Sequence, residues 1–242
     1  MNKTMNLYPI GDLHCGTKNF NEELFNHFLD TFRRDKAKKK ILLNGDLVDA
    51  LDSSRFYKDK ETWNLNESIE YVVDNLKPFK KYILAGTTSN HGQRLKKQFD
   101  FDIDKNINDQ LGVPTYVSFH EDVPIGKNRS IRVFAQHHAP VSKSALLAMR
   151  RFINEMETID SDLYIGGHNH LAMGISKIYR GLDYTPYRKH YCFSGSFLNY
   201  QGSYAEGHYG FILPGYTVIC INKKSGKVNF NITYSDEIEG CE

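Results

Sequence analysis

The chain has 242 residues, 40% of them apolar and 25% charged, and a formal net charge of +2. This is the composition of an ordinary globular protein, long enough to bury a large core without disulfides, and a near-neutral total neither demands nor excludes a nucleic-acid partner. Cys15, Cys192, Cys220 and Cys241 show no paired spacing, no basic-then-apolar leader opens the chain and no apolar run nears the length of a bilayer span, so we expect reduced thiols, a cytoplasmic location and no membrane partner.

In chain order, Leu7 to Ile10 reads as a first strand. Asn21 to Lys36 reads as a helix, because Leu24, Phe25, Phe28, Leu29 and Phe32 recur at helical spacing. The Lys38–Lys40 charge run extends its basic end, and a solvated helix end is favoured over a nucleic-acid patch. Ile41 to Leu43 is a second strand, and the aromatic-bearing stretch Ala50 to Asn66 an irregular loop suited to substrate recognition. Glu67 to Leu76 is a helix closed by Pro78, and Tyr82 to Ala85 a strand. Arg94 to Leu111 reads as one helix stopped by Gly112 and Pro114. Tyr116 to Phe119 and Ile131 to Ala135 read as neighbouring strands, Ser142 to Met156 as a helix, and Leu163 to Ile165 as a strand. From Met173 onward, short alternating runs predict an antiparallel sheet: Ile175 to Tyr179, Tyr191 to Ser194, Thr217 to Ile221 and Val228 to Ile232, the last two joined by a Lys223–Gly226 turn. The chain reads as one domain over 1–242, α/β to about 171 and β-rich from about 172.

Five short motifs carry the chemistry: Gly11-Asp12-Leu13-His14, Asn44-Gly45-Asp46-Leu47-Val48-Asp49, Ser89-Asn90-His91, Gln136-His137-His138 and Gly167-His168-Asn169-His170. Nearly all follow a strand, and ligands at the ends of parallel strands converge on one crevice. Asp, Asn and His suit borderline-hard divalent cations, and the set is too large for one ion. Asp46 is the choice for a carboxylate touching two ions about 3.5–4 Å apart. Asp12 and His14, like His168 and His170, alternate along extended chain. Asn90 offers a carbonyl oxygen and His137 an imidazole; Pro140 stands three residues after His137, so His138 is the alternative at that position. Asp49 reads as a supporting or capping group. His27, His120, His190 and His208 read as ordinary histidines.

The motif order D-x-H, G-D-x-x-D, N-H, H, G-H-x-H resembles the calcineurin-like metallophosphoesterases over about residues 7–171. The resemblance implies a four-layer αββα sandwich of two mixed sheets flanked by helices, with a dimetal site at the strand ends. It implies that Asp12, His14, Asp46 and His170 hold one metal, that Asp46, Asn90, His137 and His168 hold the other, and that His91 protonates the leaving oxygen. An imidazolium beside a phosphoryl group would also do this on general grounds. The family pattern commonly places an acid after N-H. Here Gly92 follows His91, so an orienting carboxylate is missing from that motif.

The resulting reading is a phosphoesterase in which a hydroxide bridging two metals attacks phosphorus in line. Mn²⁺ is the first choice of metal, with Fe, Zn²⁺ and Ni²⁺ as the others. The substrate is a phosphodiester, DNA included, with Arg94 as a phosphate contact, and Lys96 and Lys97 either beside it or merely solvated. A phosphomonoesterase and a non-catalytic scaffold are the alternatives. Oligomeric state is not legible. The segment Tyr179 to Tyr216, with Tyr200, Tyr204 and Tyr209, is expected to help shape the substrate pocket, through a Gly195-centred turn close to the metals.

Overall fold

A computed structural model describes residues 3–49, 63–203, 206 and 210–238. The Ala50–Asn66 loop up to residue 62, Tyr204, Tyr209, His208 and Cys241 lie outside them. Strand β1 (Thr4–Ile10) pairs in parallel with β2 (Lys38–Leu43), which pairs with β3 (Ile83–Thr87) and then the short β4 (Thr115–Tyr116). On its other edge β1 meets β10 (Gly215–Asn222), which pairs with β11 (Val228–Tyr234), both antiparallel. A second sheet runs β5 (Phe119–Pro124), β6 (Ser130–Gln136), β7 (Leu163–Gly166), β9 (Pro186–Ser196) and β8 (Ala172–Arg180). The two sheets are stitched where Gly215 and Tyr216 pair with Ser196 and Gly195.

Alternation along each strand sorts side chains between layers. Met5 and Leu7 of β1 meet Val133, Leu163, Ile165 and Cys192 between the sheets. Tyr8 and Ile10 face the other way, against α1 (Glu22–Arg34) and α2 (Leu65–Leu76). The same outer core takes in α3 (Asn90–Phe99) through Leu95 and α4 (Ile103–Leu111) through Ile103, Ile107 and Leu111. On the far side, α5 (Ala145–Met156) packs Ala148, Met149, Phe152 and Ile153 on Tyr164, Tyr191 and Phe193. Four layers result, αββα, as the motif resemblance implied. No helix of the described residues is long and apolar enough to cross a membrane.

Local chemistry explains the helix ends. Asn21 caps α1 by accepting from the Leu24 amide, and Asn64 with Glu67 forms a capping box on α2. Three expectations need correction. Lys38–Lys40 belong to strand β2 rather than a helix end, because β1 pairs Met5, Asn6 and Leu7 with them. Lys39 Nζ still reaches that helix end, donating to the Phe32 and Asp35 carbonyls. The single helix expected over Arg94–Leu111 is two: Asp100 turns left-handed at φ 54°, and Asp102 starts α4 by accepting from the Lys105 amide. Tyr116 to Phe119 is not one strand, since Tyr116 ends β4 in one sheet and Phe119 begins β5 in the other. The tail strands pair antiparallel as expected, β8 with β9, β9 with β10 and β10 with β11, and they extend the two sheets through β9 on β7 and β10 on β1.

Candidate metal centre

Strands β1, β2, β3, β6 and β7 all end at one crevice, and within a few residues of the ends of β1, β2 and β7 the chain turns sharply. Among the described residues seven non-glycines have positive φ, and five of them are Asp12 (50°), His14 (48°), Asp46 (48°), His168 (68°) and His170 (60°). Holding a side chain there costs about 1–3 kcal/mol per residue and persists only where the surroundings impose it, which is typical of functional sites. Gly45, at φ 75°, clears room for the cluster: a Cβ there would lie 2.8 Å from the His137 ring.

The geometry falls into two linked groups. Asp12 Oδ1 lies 3.4 Å from His170 Nε2 and 3.9 Å from His14 Nε2, and these two imidazole nitrogens are 3.3 Å apart. Asp46 Oδ2 lies 3.0 Å from His137 Nε2, which is 2.9 Å from Asn90 Oδ1; His168 completes a trio with Asp46 and His137. His137 is buried while His138 is exposed, so His137 is the histidine brought into the crevice. His137 Nδ1 lies 2.7 Å from the Asn44 carbonyl, which can only accept, so the ring donates there and presents Nε2 to the cluster.

The donor set fits cations. Asp12 Oδ1 and Asp46 Oδ1 are buried with no hydrogen-bond partner among the described residues, and each such group costs about 1–3 kcal/mol if left unsatisfied. Burial works against a charged imidazole, yet Asp12, Asp49 and Asp46 outweigh it and raise His14 to about 10. Asp46 and Asp12 likewise raise His137 to about 9 against burial. Burial holds His168 down to about 4 and His170 to about 3, as neutral rings. The carboxylates thus hold protons on His14 and His137, and divalent ions would take the place of those protons.

His91 sits beside this cluster on the first turn of α3, its Nε2 3.9 Å from Asp46 Oδ2. The carboxylate missing from its own motif comes from Asp49, whose Oδ1 is 3.2 Å from His91 Nδ1 and 3.4 Å from His14 Nδ1. Burial opposes the charged His91 ring, but Asp46 and Asp49 raise it overall. The supporting role expected of Asp49 is therefore concrete, and the spacing D-x-x-D was its only local signal. Arg94 lies on the same helix one turn further on, exposed and without an ion pair among the described residues; Lys96 is engaged by Asp102 at 2.8 Å.

Sequence reasoning missed two supports. Asp104 of α4 accepts from the Ser89 amide at 2.7 Å and the Ser89 hydroxyl, bracing the turn that carries Asn90 and His91. Nothing in its sequence surroundings marks it. Burial pushes the Asp104 carboxyl up to about 6 despite the Ser89 amide, and Asp46 adds to the rise. The unfolded carboxyl titrates near about 3.9, so folding favours the protonated form, and that stability is complete below about pH 4 and lost as pH rises through about 6. We expect metal-free wild type to lose on the order of 2–3 kcal/mol relative to Asp104→Asn across that interval. Urea unfolding of both proteins from pH 4 to 7 checks this, and parallel pH profiles would contradict it.

The second support is the turn after β9. Ser196 Oγ and the Phe197 amide both donate to the Asp12 carbonyl, at 2.9 and 3.0 Å. Ser196 and Phe197 thus hold the Asp12 loop in place, while Gly195, expected at the centre of a turn, lies within β9 and pairs with Tyr216. Tyr200 instead donates its hydroxyl to the Glu206 carbonyl and packs on Phe211. Gly195 has φ +95°, and a Cβ there would meet the Gly215 carbonyl oxygen at 2.0 Å. Gly195→Ala is expected to cost about 2–4 kcal/mol, read as a lowered urea midpoint; an unchanged midpoint would mean β10 can retreat at no cost.

No protein-family model matches the chain, and no curated protein matches it. Among solved structures it is similar to a Vps29 single mutant from Entamoeba histolytica, at 15% identity and TM-score 0.46, over 95% of this chain and 99% of that one. It is also similar to a conserved uncharacterised protein from Streptococcus pneumoniae TIGR4, described as a predicted phosphoesterase, at 12% identity and TM-score 0.43, over 98% and 92%. GAP50, described as the anchor in the inner membrane complex of Plasmodium, is similar at 14% identity and TM-score 0.44, over 96% and 89%. At these identities the chain's own layers and side chains carry the reading. The αββα layers, with an acid–histidine cluster at the strand ends, are the arrangement that the motif resemblance implied.

Proposed function

We propose that the chain is a metal-dependent phosphoesterase with a dinuclear site, acting on a phosphodiester, DNA included. The observation that carries this reading is Asp46, a buried carboxylate standing between His14 and His91 on one side and His137 and His168 on the other, its Oδ1 lacking a hydrogen-bond partner among the described residues. Asp12, His14, Asp46 and His170 would hold one ion, and Asp46, Asn90, His137 and His168 the other. Mn²⁺ is the first choice, since oxygen donors from Asp and Asn stand beside the imidazoles. When bound, two divalent ions supply Lewis acidity to a phosphoryl group and acidify water.

The chain's own groups do the rest. Asp49 holds the His91 ring through Nδ1, and the opposite ring nitrogen, on the Asp46 side, delivers a proton to the leaving oxygen. Ser196 and Phe197 keep the Asp12 loop in register, and Asp104 does the same for the Asn90–His91 turn. Arg94 meets the phosphate chain of a polymeric substrate. The deciding experiment assays Mn²⁺-loaded protein side by side on bis-p-nitrophenyl phosphate, p-nitrophenyl phosphate and linear DNA. Turnover of the diester together with DNA cleavage supports the proposal. Turnover of the monoester alone replaces the substrate class, and two bound ions without turnover of any of the three would make the chain a scaffold.

A further inference from the structure

Strand β7 runs from Leu163 toward the cluster, and His190 of β9 pairs with Leu163 at its far end. At that far end, away from the metal centre, a cavity of about 560 Å³ opens between the β5–β6 turn, the β10–β11 turn and the start of β9. Its charged lining is Arg129, Arg188 and Lys227 against a single carboxylate, Asp162. Asp162 is already engaged, accepting from the Arg132 amide at 3.0 Å.

The cations are placed with some precision. Gly226, at φ +74°, lets the Arg129 guanidinium lie against the β10–β11 turn, where a Cβ would come within 2.6 Å of Nη2. Arg129 Nη1 donates to the Lys224 carbonyl, which fixes the group while other N–H donors remain on the same fork. Arg188 and Lys227 form no ion pair among the described residues, so two full charges face open space. His190 lines the same cavity and is only 6% exposed. Its Nδ1 is engaged by the Ser176 hydroxyl at 2.7 Å, and its Nε2 has no partner among the described residues. Burial keeps this ring neutral, down to about 4, despite Asp162. Three cations and a buried imidazole edge around a space of ligand size, with one committed acid, select a compact anion of high charge over a neutral ligand.

We propose that this cavity is a binding site for a diphosphate group, separate from the metal centre. Two sources carry that chemistry, inorganic pyrophosphate and the diphosphate of a nucleotide. The apolar Ile125, Ile131 and Pro186 in the lining offer a surface that only the larger ligand would use.

The test is calorimetric titration of the full chain, without added divalent metal, using pyrophosphate and ADP separately. Wild type is expected to bind at least one with a Kd below about 1 mM. Arg188→Glu/Lys227→Glu is expected to weaken that binding by about tenfold or more, because two attractions become repulsions, with an unchanged melting temperature since both side chains are exposed. Asp46→Asn should leave the Kd within about twofold, as it lies in the other site. The His190 ring resonances should shift on titration of wild type and stay fixed in the doubly reversed variant. Tighter binding of ADP assigns the nucleotide source, and tighter binding of pyrophosphate the inorganic one. Failure of both probes to saturate, or binding that survives the double reversal and disappears in Asp46→Asn, overturns the site. None of these readouts depends on phosphoesterase activity, so this site and the proposed function stand or fall separately.

Discussion

Asp46→Asn protein is expected to bind far less metal than wild type and to lose turnover by at least the ~10²–10³ that removing one electrostatic contact to a transition state costs. Asp46 is buried, its Oδ1 lacks a hydrogen-bond partner among the described residues, and the carboxylate stands in two of the three candidate trios, one with His14 and His91 and one with His137 and His168. Asparagine keeps the shape but removes the charge and replaces one acceptor with a donor, which cannot ligate a cation. It also turns an N–H toward imidazoles whose charge depends on Asp46. Metal analysis after dialysis is the primary measurement, because it does not presuppose a substrate. Two ions retained at wild-type affinity would remove Asp46 from the bridging position.

His91→Ala or His91→Asn is expected to lower turnover by about 10²–10⁴, the span for a general acid, with metal content near that of wild type. The ring lies beside Asp46 yet is tethered through Asp49, so its removal leaves Asp12, His14, Asn90, His137, His168 and His170 in place. The loss should shrink for esters with good leaving groups, which depart without a proton. Equal losses on activated and unactivated esters would make His91 a phosphate-positioning group. Asp49→Asn should reproduce part of the His91 defect, and should also weaken metal binding, because Asp49 contacts His14 as well.

Most of the elements and the cluster's membership were legible in the amino-acid order alone, because both depend on short-range patterns. The alternation of Met5 and Leu7 against Tyr8 and Ile10 marks a strand buried on both faces, and the recurrence of Leu24, Phe25 and Phe28 marks a helix face. The D-x-H and H-x-H pairs were visible as pairs two residues apart, but the backbone that sets their relation is left-handed at Asp12, His14, His168 and His170 rather than extended as the spacing suggested. Where a local pattern was continuous, it hid the break at Asp100, whose left-handed turn ends one helix just before the Asp102 cap of the next. Lys38–Lys40 read as a helix end because charge is a weak strand signal, and only pairing with β1 makes them strand.

What only the tertiary structure decided involves partners far apart in sequence. Asp49 replaces the acid absent after His91 from 42 residues upstream, across two strand ends. Asp104 braces Ser89 from another helix, and Ser196 reaches the Asp12 carbonyl across 184 positions. His137 rather than His138 enters the crevice because the burial of β6 decides which face points inward, and two adjacent residues on extended chain face opposite ways. The tail strands divide between two sheets because β1 and β7 each leave an edge that β10 and β9 cover. Composition and spacing determine which residues can ligate or donate; distance, burial and backbone strain in the assembled fold determine which of them meet.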